Sequence, residues 1–230
     1  MMFPYKSYDF NNTNINRIII IGDIHGDIKR FKEILIDSQV INDNFEWVAN
    51  PSNTIVVQLG DQVDSLNRNT NENWEVLNDY EMIYFTEHLN NIARVKGGRC
   101  ISLIGNHELM NVDGDFRYVS YEGRREFINY KKPNGEKFED GTEARLWAFK
   151  PGNPISEFLA CTRQVALIIG SNIFIHAGIL PIIAEKYSVK SINQIMTLFL
   201  LDKIKNTDKH YNNIFNSNDY SPLWNRIYGN

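Results

Sequence analysis

Four short motifs in this sequence place carboxylate, imidazole and amide side chains directly after short apolar runs. They are Gly22-Asp23-Ile24-His25-Gly26, Gly60-Asp61-Gln62-Val63-Asp64, Gly105-Asn106-His107-Glu108 and His176-Ala177-Gly178. Such side chains combine hard oxygen donors with borderline nitrogen donors, a mixture that suits Mn, Fe or Zn. We therefore expect the motifs to bind divalent metal ions.

The roles of these side chains can be assigned from what a site with two metal ions requires. Its ions lie roughly 3.5 to 4 Å apart, so one carboxylate must bridge them, and a hydroxide shared between them acts as the nucleophile. Asp61 is the candidate for the bridge. We expect Asp23 and His25 to hold the first ion, and Asn106 and His176 to hold the second.

Each motif follows a segment that has the features of a buried strand. These segments are short, rich in β-branched residues and bounded by Gly, at 17–21, 54–59, 100–104 and 173–175. Apolar residues at helical spacing lie between the first three segments. The order strand, helix, strand, helix, strand predicts parallel pairing with right-handed crossovers. Ligands at the ends of such strands would meet at one edge of the sheet.

The rest of the chain is predicted to form one domain, at 17–230, after a polar N-terminal tail at 1–16. The segment 114–152 is charged and aromatic and contains a clear turn at 131–135. We interpret it as a helical insertion that shapes access of the substrate. Gly170-Ser171 joins two apolar runs, which predicts a β-hairpin.

The composition is that of an ordinary globular protein, with 230 residues, 43% of them hydrophobic and 23% charged. A formal net charge of -4 argues against a nucleic acid partner. No apolar run approaches the roughly 20 residues that cross a bilayer, so we expect no membrane partner. The two cysteines lie in apolar surroundings, which favours reduced thiols and a cytoplasmic location. The sequence does not predict the oligomeric state.

The four motifs, in this order, resemble those of the phosphoprotein phosphatase branch of the calcineurin-like metallophosphoesterases. The resemblance covers residues 17–180. The runs 105–118, 143–152 and 222–226 are similar to segments of the Shewanella-like protein phosphatases. The resemblance implies an α/β fold, in which helices flank a β-sandwich and a site for two metal ions lies in loops at one edge.

This chain departs from the family pattern at two places. Family members carry Arg-Gly after the second motif, where this chain has Ser-Leu at 65–66, and the Arg helps to hold the phosphate. Arg68, Arg117 or Arg145 could substitute, the alternative for each being a solvated or salt-bridged side chain. The family also has a final metal-binding His and sheet strands after the segment that resembles 222–226. No residue here matches that His, so we expect a fold that lacks its C-terminal strands and a reduced activity.

Hydrolysis of a phosphate ester requires an acid that protonates the departing oxygen. His107 is the candidate, because it directly follows a predicted metal ligand. Asp64 could accept a hydrogen bond from the other ring nitrogen and favour the protonated imidazole. The alternatives are an imidazole bonded only within its loop and an aspartate that caps a turn.

The leading hypothesis is a metal-dependent phosphomonoesterase, specifically a protein phosphatase. Its nucleophile would be a hydroxide activated by two metal ions, and its substrate a phosphorylated protein or a small phosphoester. Two alternatives remain open. One is a dinucleoside polyphosphate hydrolase, since the same branch includes such enzymes. The other is a pseudophosphatase or binding module, which the two departures favour.

Overall fold

Three parallel strands carry the first three motifs in the computed structural model, which describes residue 10 and residues 15–66, 78–216 and 219–228. The strands are β1 (Ile18–Ile21), β2 (Ile55–Gln58) and β3 (Arg99–Ser102), in that spatial order. Ile21 pairs with Gln58, and Gln58 pairs with Ser102, so the carboxyl ends of the strands are level. The parallel pairing predicted from the sequence is confirmed.

Two amphipathic helices cover one face of this sheet. They are α1 (Ile28–Asp37) and α2 (Asp79–Val95). Asp27 caps α1 by accepting a hydrogen bond from Arg30 N at 2.8 Å, which satisfies a donor that the first turn leaves unpaired. Residues of both helices and of the sheet share one core, with members Phe31, Leu35, Met82, Leu89, Val56 and Cys100.

A β-hairpin covers the opposite face of the sheet. Its strands are β4 (Ala166–Ile169) and β5 (Asn172–Ile175), which pair antiparallel as predicted. Gly170 has a φ of 59°, the left-handed conformation that tight hairpin turns require. Inward-facing residues of the hairpin and the sheet form a second core: Leu167, Ile169, Phe174, Ile55, Val57 and Ile101. Helices on one face and a hairpin on the other confirm the α/β prediction.

The remaining helices extend from the hairpin side and the motif edge. They are α3 (Asn106–Val112), α4 (Tyr121–Arg125), α5 (Gly141–Phe149), α6 (Pro154–Thr162), α7 (Pro181–Ala184), α8 (Val189–Leu200) and α9 (Lys209–Phe215). Helices α4 and α5 lie within the segment 114–152. The largest core contains residues of α5, α6, α8 and α9, among them Phe149 and Leu159. Within the described ranges, no helix has the length and apolar character needed to span a bilayer.

Candidate metal centre and active site

The loops that follow β1, β2 and β3 contact each other through their backbones. The N–H groups of Ile24 and His25 both donate to Asp61 O, at 3.0 Å. Gly60 has a φ of 102°, and a Cβ atom there would lie 2.4 Å from Gly105 N. No side chain fits in that space, so glycine at this position allows the second and third motifs to meet.

Glu108 holds the second and third motifs together from inside the protein. Its side chain is fully buried. Oε2 accepts hydrogen bonds from Asp61 N at 2.9 Å and Gly105 N at 2.7 Å, and Oε1 accepts one from Gln62 N at 2.7 Å. No role was predicted for this residue. It lies three residues after Gly105, where α3 begins, and its bond to Gly105 N is the half of a capping box that the third residue of a helix supplies.

Three imidazole rings converge on one carboxylate oxygen at the edge of the sheet. The Nε2 atoms of His25, His107 and His176 lie 4.0, 3.9 and 3.4 Å from Asp61 Oδ2. The other oxygen of this carboxylate accepts a hydrogen bond from His107 N at 2.9 Å. Asp61 therefore lies at the centre of the site, where the sequence predicted a bridging carboxylate.

Backbone carbonyls orient two of these imidazoles. His25 Nδ1 lies 2.9 Å from Val63 O, and His176 Nδ1 lies 3.0 Å from Leu59 O. A carbonyl oxygen can only accept, so each Nδ1 carries a proton and each Nε2 presents a lone pair to the site. Metal-binding histidines are commonly held in this way.

Asp23 and Asn106 complete the ring of donor atoms. Asp23 lies between two imidazoles, with Oδ2 at 3.9 Å from His25 Nε2 and Oδ1 at 3.9 Å from His176 Nδ1. Asn106 Oδ1 lies 2.9 Å from His176 Nε2. Burial lowers the pKa of His176, which favours the neutral ring. Two lone pairs then face each other across this short distance, and a cation would stabilise that arrangement.

The residues predicted as metal ligands lie together around Asp61. One possible set of ligands comprises His25, Asp61 and His107, and the other comprises Asp23, Asp61 and His176. Asp23 lies equally close to the imidazoles on its two sides, so it can serve His25, as predicted, or His176. A ligand role for His107 was not predicted.

His107 and Asp64 form the imidazole–carboxylate pair expected from the sequence. His107 Nδ1 lies 2.8 Å from Asp64 Oδ2, and Asp64 is completely buried. Burial by itself lowers the pKa of His107. The hydrogen bond to Asp64 and the charges of Asp61 and Asp64 outweigh this effect, so the pKa of His107 is raised. The pair therefore favours an imidazolium that directs Nε2 toward Asp61.

The central carboxylate carries a charge that its surroundings do not neutralise. Burial raises the pKa of Asp61 to about 6, although the charge and the backbone N–H of His107 lower it. The carboxylates of Asp23 and Asp64 raise it further. Bound cations would reverse this effect, because a nearby positive charge favours the ionised form.

Three residues of the motifs have strained backbone conformations. The φ angles of His25, Asp61 and Asp64 are 51°, 52° and 74°, in the left-handed region that favours glycine. Each such residue costs on the order of 1–3 kcal/mol, and strain of this kind clusters at functional sites. The side chains of His25 and Asp61 approach each other, and Asp64 contacts His107, which supports a functional origin of the strain.

The arginines predicted to contact phosphate have different surroundings. Arg68 lies outside the described residues. The side chain of Arg117 is 67% exposed, and its Nη2 lies 2.7 Å from Asp115 Oδ2. Arg145 is fully buried, so it has no surface available to a ligand in solution. Its guanidinium contacts Asp64, which directly precedes Ser65, the residue at the position of the family arginine.

Two further residues border the site and were not predicted. The Tyr118 ring, which is 39% exposed, has its centroid 5.1 Å from that of His107. Arg226 is exposed, and its charge contributes to the low pKa of His176, after the larger effect of burial. Both residues lie in runs that resemble the Shewanella-like phosphatases, 105–118 and 222–226, but neither is in one of the four motifs, so no role was predicted for them.

The chain belongs to the calcineurin-like phosphoesterase family, whose profile matches residues 16–227. Among its relatives are Shewanella-like protein phosphatase 2 of Arabidopsis thaliana and Shewanella-like protein phosphatase 1 of Plasmodium berghei. The first is 29% identical over 77% of this chain and 50% of its own length. The second is 32% identical over 82% of this chain and 46% of its own length. The resemblance predicted from the motifs is confirmed.

A protein of Acanthamoeba polyphaga mimivirus is 42% identical over 64% of this chain and 62% of its own length. The chain thus spans about half to three fifths of the length of these relatives. Among solved structures, the cold-active protein-tyrosine phosphatase of a psychrophilic Shewanella species superimposes with a TM-score of 0.70. The match covers 94% of this chain and 59% of that one, at 22% identity, and it shows a shared fold.

Proposed function

We propose that this protein is a metal-dependent phosphomonoesterase that acts on phosphorylated protein. The observation that carries the proposal is the convergence of three imidazole Nε2 atoms on Asp61 Oδ2, at 3.4 to 4.0 Å. Asp23 and Asn106 stand beside them. Membership in the calcineurin-like phosphoesterase family and the Shewanella-like relatives support the same reaction.

The donor set fits two divalent cations that share Asp61. His25 would serve one ion and His176 the other, because their Nδ1 protons are already engaged by carbonyl oxygens. Asp23, whose Oδ2 lies 3.9 Å from His25 Nε2, would complete the first set, and Asn106, beside His176 Nε2, the second. When bound, the ions supply Lewis acidity toward the phosphoryl oxygens and lower the pKa of water. Mn, Fe and Zn all accept this mixture of oxygen and nitrogen ligands.

His107 would protonate the departing oxygen of the substrate. Its Nε2 faces the site, and its Nδ1 proton is held by Asp64 at 2.8 Å. The raised pKa of the imidazole keeps a proton available near neutral pH. Asp64 fixes the ring plane and stabilises the imidazolium, the same division of labour as in other imidazole–carboxylate pairs.

Tyr118 and the two exposed arginines lie where the substrate would bind. The Tyr118 ring is beside His107, so an aromatic leaving group that receives the proton would contact it. A phosphorylated tyrosine has such a group. The solved Shewanella structure carries the description protein-tyrosine phosphatase, which favours the same substrate class for this chain. Arg226, near His176, and Arg117 are candidates for the phosphate contact.

The proposal is tested by measuring hydrolysis of an aryl phosphate with added Mn²⁺. Asp61→Asn should lower kcat/KM by more than about 100-fold. This loss is larger than the roughly 10- to 100-fold loss expected for a residue that only orients a metal ligand. Asp113→Asn is the matched control. Partial desolvation and the charge of Asp115 also raise the pKa of Asp113 to about 6, but this residue is more exposed than Asp61 and lies outside the four motifs, at the end of α3.

Three results would contradict the proposal. Equal rates for the wild type and Asp61→Asn would remove the catalytic role of the site. Turnover of diadenosine tetraphosphate without release of phosphate from phosphopeptides would establish the polyphosphate hydrolase instead. Phosphopeptide binding without turnover, in protein that contains both metal ions, would establish a binding module.

A further inference from the structure

A fully buried arginine lies on the side of Asp64 that faces away from His107. It is Arg145, in helix α5 of the segment 114–152. Its Nη2 donates hydrogen bonds to Asp64 Oδ1 at 3.2 Å and to Asp79 Oδ2 at 2.8 Å. Its Nε donates to Asn111 Oδ1 at 2.7 Å. We call these four residues, Arg145, Asp64, Asp79 and Asn111, the Arg145 network.

The Arg145 network determines the orientation of Asp64. Asp64 Oδ2 accepts from His107 Nδ1, while Asp64 Oδ1 accepts from Asn111 Nδ2 at 2.8 Å and from Arg145. The Asp64 N–H donates to the Asp79 carboxylate at 3.2 Å. Both oxygens and the backbone of Asp64 are therefore engaged. A rotation of its carboxylate that released His107 would also break the bonds to Arg145 and Asn111.

The network also joins elements that are distant in the sequence. Asp79 is the first residue of α2, and a Cβ at Gly26 of the first motif would lie 2.6 Å from Asp79 Oδ1. Arg145 Nη1 donates to Gly123 O of α4 at 2.8 Å. Glu126, just after α4, accepts a hydrogen bond from Asp79 N at 3.3 Å. The segment 114–152 thus contacts the motif loops through Asp79 and Arg145.

Burial of these charges requires an explanation beyond stability. The guanidinium carbon of Arg145 lies 5.9, 5.2 and 5.2 Å from the ring centroids of Phe116, Phe127 and Phe149. These rings keep water away from the ion pairs and add cation–π attraction. Taking an arginine and two aspartates out of water is unfavourable, and apolar residues of similar volume would often be as stable. A network that fixes one geometry explains why charged groups occupy this position.

We propose that Arg145 is a positioning residue for the reaction, which acts through Asp64 on His107. The inference rests on the proposed function, because it assigns a source to the orientation of the general acid. In this account the segment 114–152 does more than border the substrate. Its helix α5 supplies the guanidinium that keeps the His107 proton donor aimed at the leaving oxygen.

The experiment compares a poor leaving group with a good one. Phenyl phosphate needs protonation of its departing oxygen, whereas dinitrophenyl phosphate scarcely does. We expect Arg145→Lys to lower kcat/KM for phenyl phosphate by roughly 10- to 100-fold, because general acid catalysis contributes about 100-fold or more. The value of kcat/KM for dinitrophenyl phosphate should fall by less than about 3-fold. Lysine keeps the charge but lacks the planar guanidinium, which donates hydrogen bonds to four residues.

Three further variants make the comparison specific. His107→Asn removes the acid completely and should, like Arg145→Lys, lower kcat/KM more for phenyl phosphate than for dinitrophenyl phosphate. Asp79→Asn removes one anchor of the arginine and should give an intermediate, substrate-dependent loss. Leu159→Ala truncates a fully buried residue of α6 outside the network and should lower both rates equally or not at all. The NMR signal of the hydrogen-bonded His107 Nδ1 proton, recorded on the Zn²⁺-loaded protein, is a further measurement that does not require turnover.

Two results would overturn the inference, provided that His107→Asn lowers kcat/KM more for phenyl phosphate than for dinitrophenyl phosphate. In one, Arg145→Lys lowers kcat/KM equally for both substrates; in the other, it lowers neither. Failure of the proposed function has a different signature. The wild type would then hydrolyse neither substrate, and the NMR signal would decide the role of Arg145. The downfield Nδ1 proton must be present in the wild type and lost or weakened in Arg145→Lys. An unchanged signal would show that Asp64 keeps its orientation without the arginine.

Discussion

Removal of Glu108 should separate the second and third motifs and weaken metal binding at Asp61. This carboxylate accepts three backbone hydrogen bonds, at 2.7 to 2.9 Å, from residues 61, 62 and 105. Glu108→Ala leaves three buried N–H groups without this acceptor. At about 1–3 kcal/mol for each of the three unsatisfied donors, the variant should lose roughly 3–9 kcal/mol of unfolding free energy.

Glu108→Gln should have a smaller effect. Its carbonyl oxygen can replace Oε2, which accepts two of the three bonds, but its NH₂ group then faces Gln62 N. One donor remains unsatisfied, so we expect a loss of about 1–3 kcal/mol. Burial raises the pKa of Glu108 to about 7, so measurements at pH 8 keep the wild-type carboxylate ionised.

Two assays measure these effects. Urea denaturation of the metal-free protein gives the change in unfolding free energy, and calorimetric titration with Mn²⁺ gives the affinity. The affinity of both Glu108 variants should fall by about 10- to 100-fold, as for residues that orient metal ligands. Leu35→Ala, a core truncation in α1, should cost about 2–5 kcal/mol and leave the affinity unchanged. The reasoning is refuted if Glu108→Ala binds Mn²⁺ as tightly as Leu35→Ala does.

Two other predictions concern pH and the substrate. Burial raises the pKa of Glu126 from an ordinary 4.5 to about 7. Its protonated form therefore stabilises the fold fully below pH 4.5, and this stabilisation is lost as the pH rises to 7. Glu126→Gln should flatten this decline by up to about 3 kcal/mol in urea denaturation at each pH, and parallel pH profiles would contradict the assignment. Tyr118→Ala should raise KM for an aryl phosphate by about 2- to 10-fold, the worth of one aromatic contact. Tyr121→Ala, which removes an exposed ring of α4, is the control, and equal KM changes in the two variants would exclude a specific contact.

The sequence predicted the strands and turns that are determined by residues close to one another in the chain. A β-branched run followed by Gly60 and Asp61 predicts a strand and a sharp turn, and both are present. Gly170 between apolar runs predicts the hairpin. These features depend on neighbouring residues and on the periodicity of burial, which a single sequence displays. The convergence of the motifs followed because parallel strands end at one edge.

The role of Arg145 could not be predicted in this way. Its neighbours in the sequence give α5 no strong polar face, and an arginine is usually exposed. Its burial depends on Asp64 and Asp79, which are 81 and 66 positions away. The sequence left a phosphate contact and a solvated or salt-bridged side chain as alternatives, and the structure places the guanidinium inside, in ion pairs with both aspartates. The approach of Asp23 to His176 as well as to His25 was not predicted either, because loop geometry decides which imidazoles a carboxylate approaches.

The central claim is that Asp61 bridges two divalent cations held by side chains from distant parts of the chain. Elemental analysis of the purified protein, after dialysis against Mn²⁺ and removal of free metal, measures it most directly. The account predicts two ions per chain in the wild type and fewer than one in Asp61→Asn, with Asp113→Asn unchanged. Retention of the full metal content by Asp61→Asn, or no bound metal in the folded wild type, would contradict it.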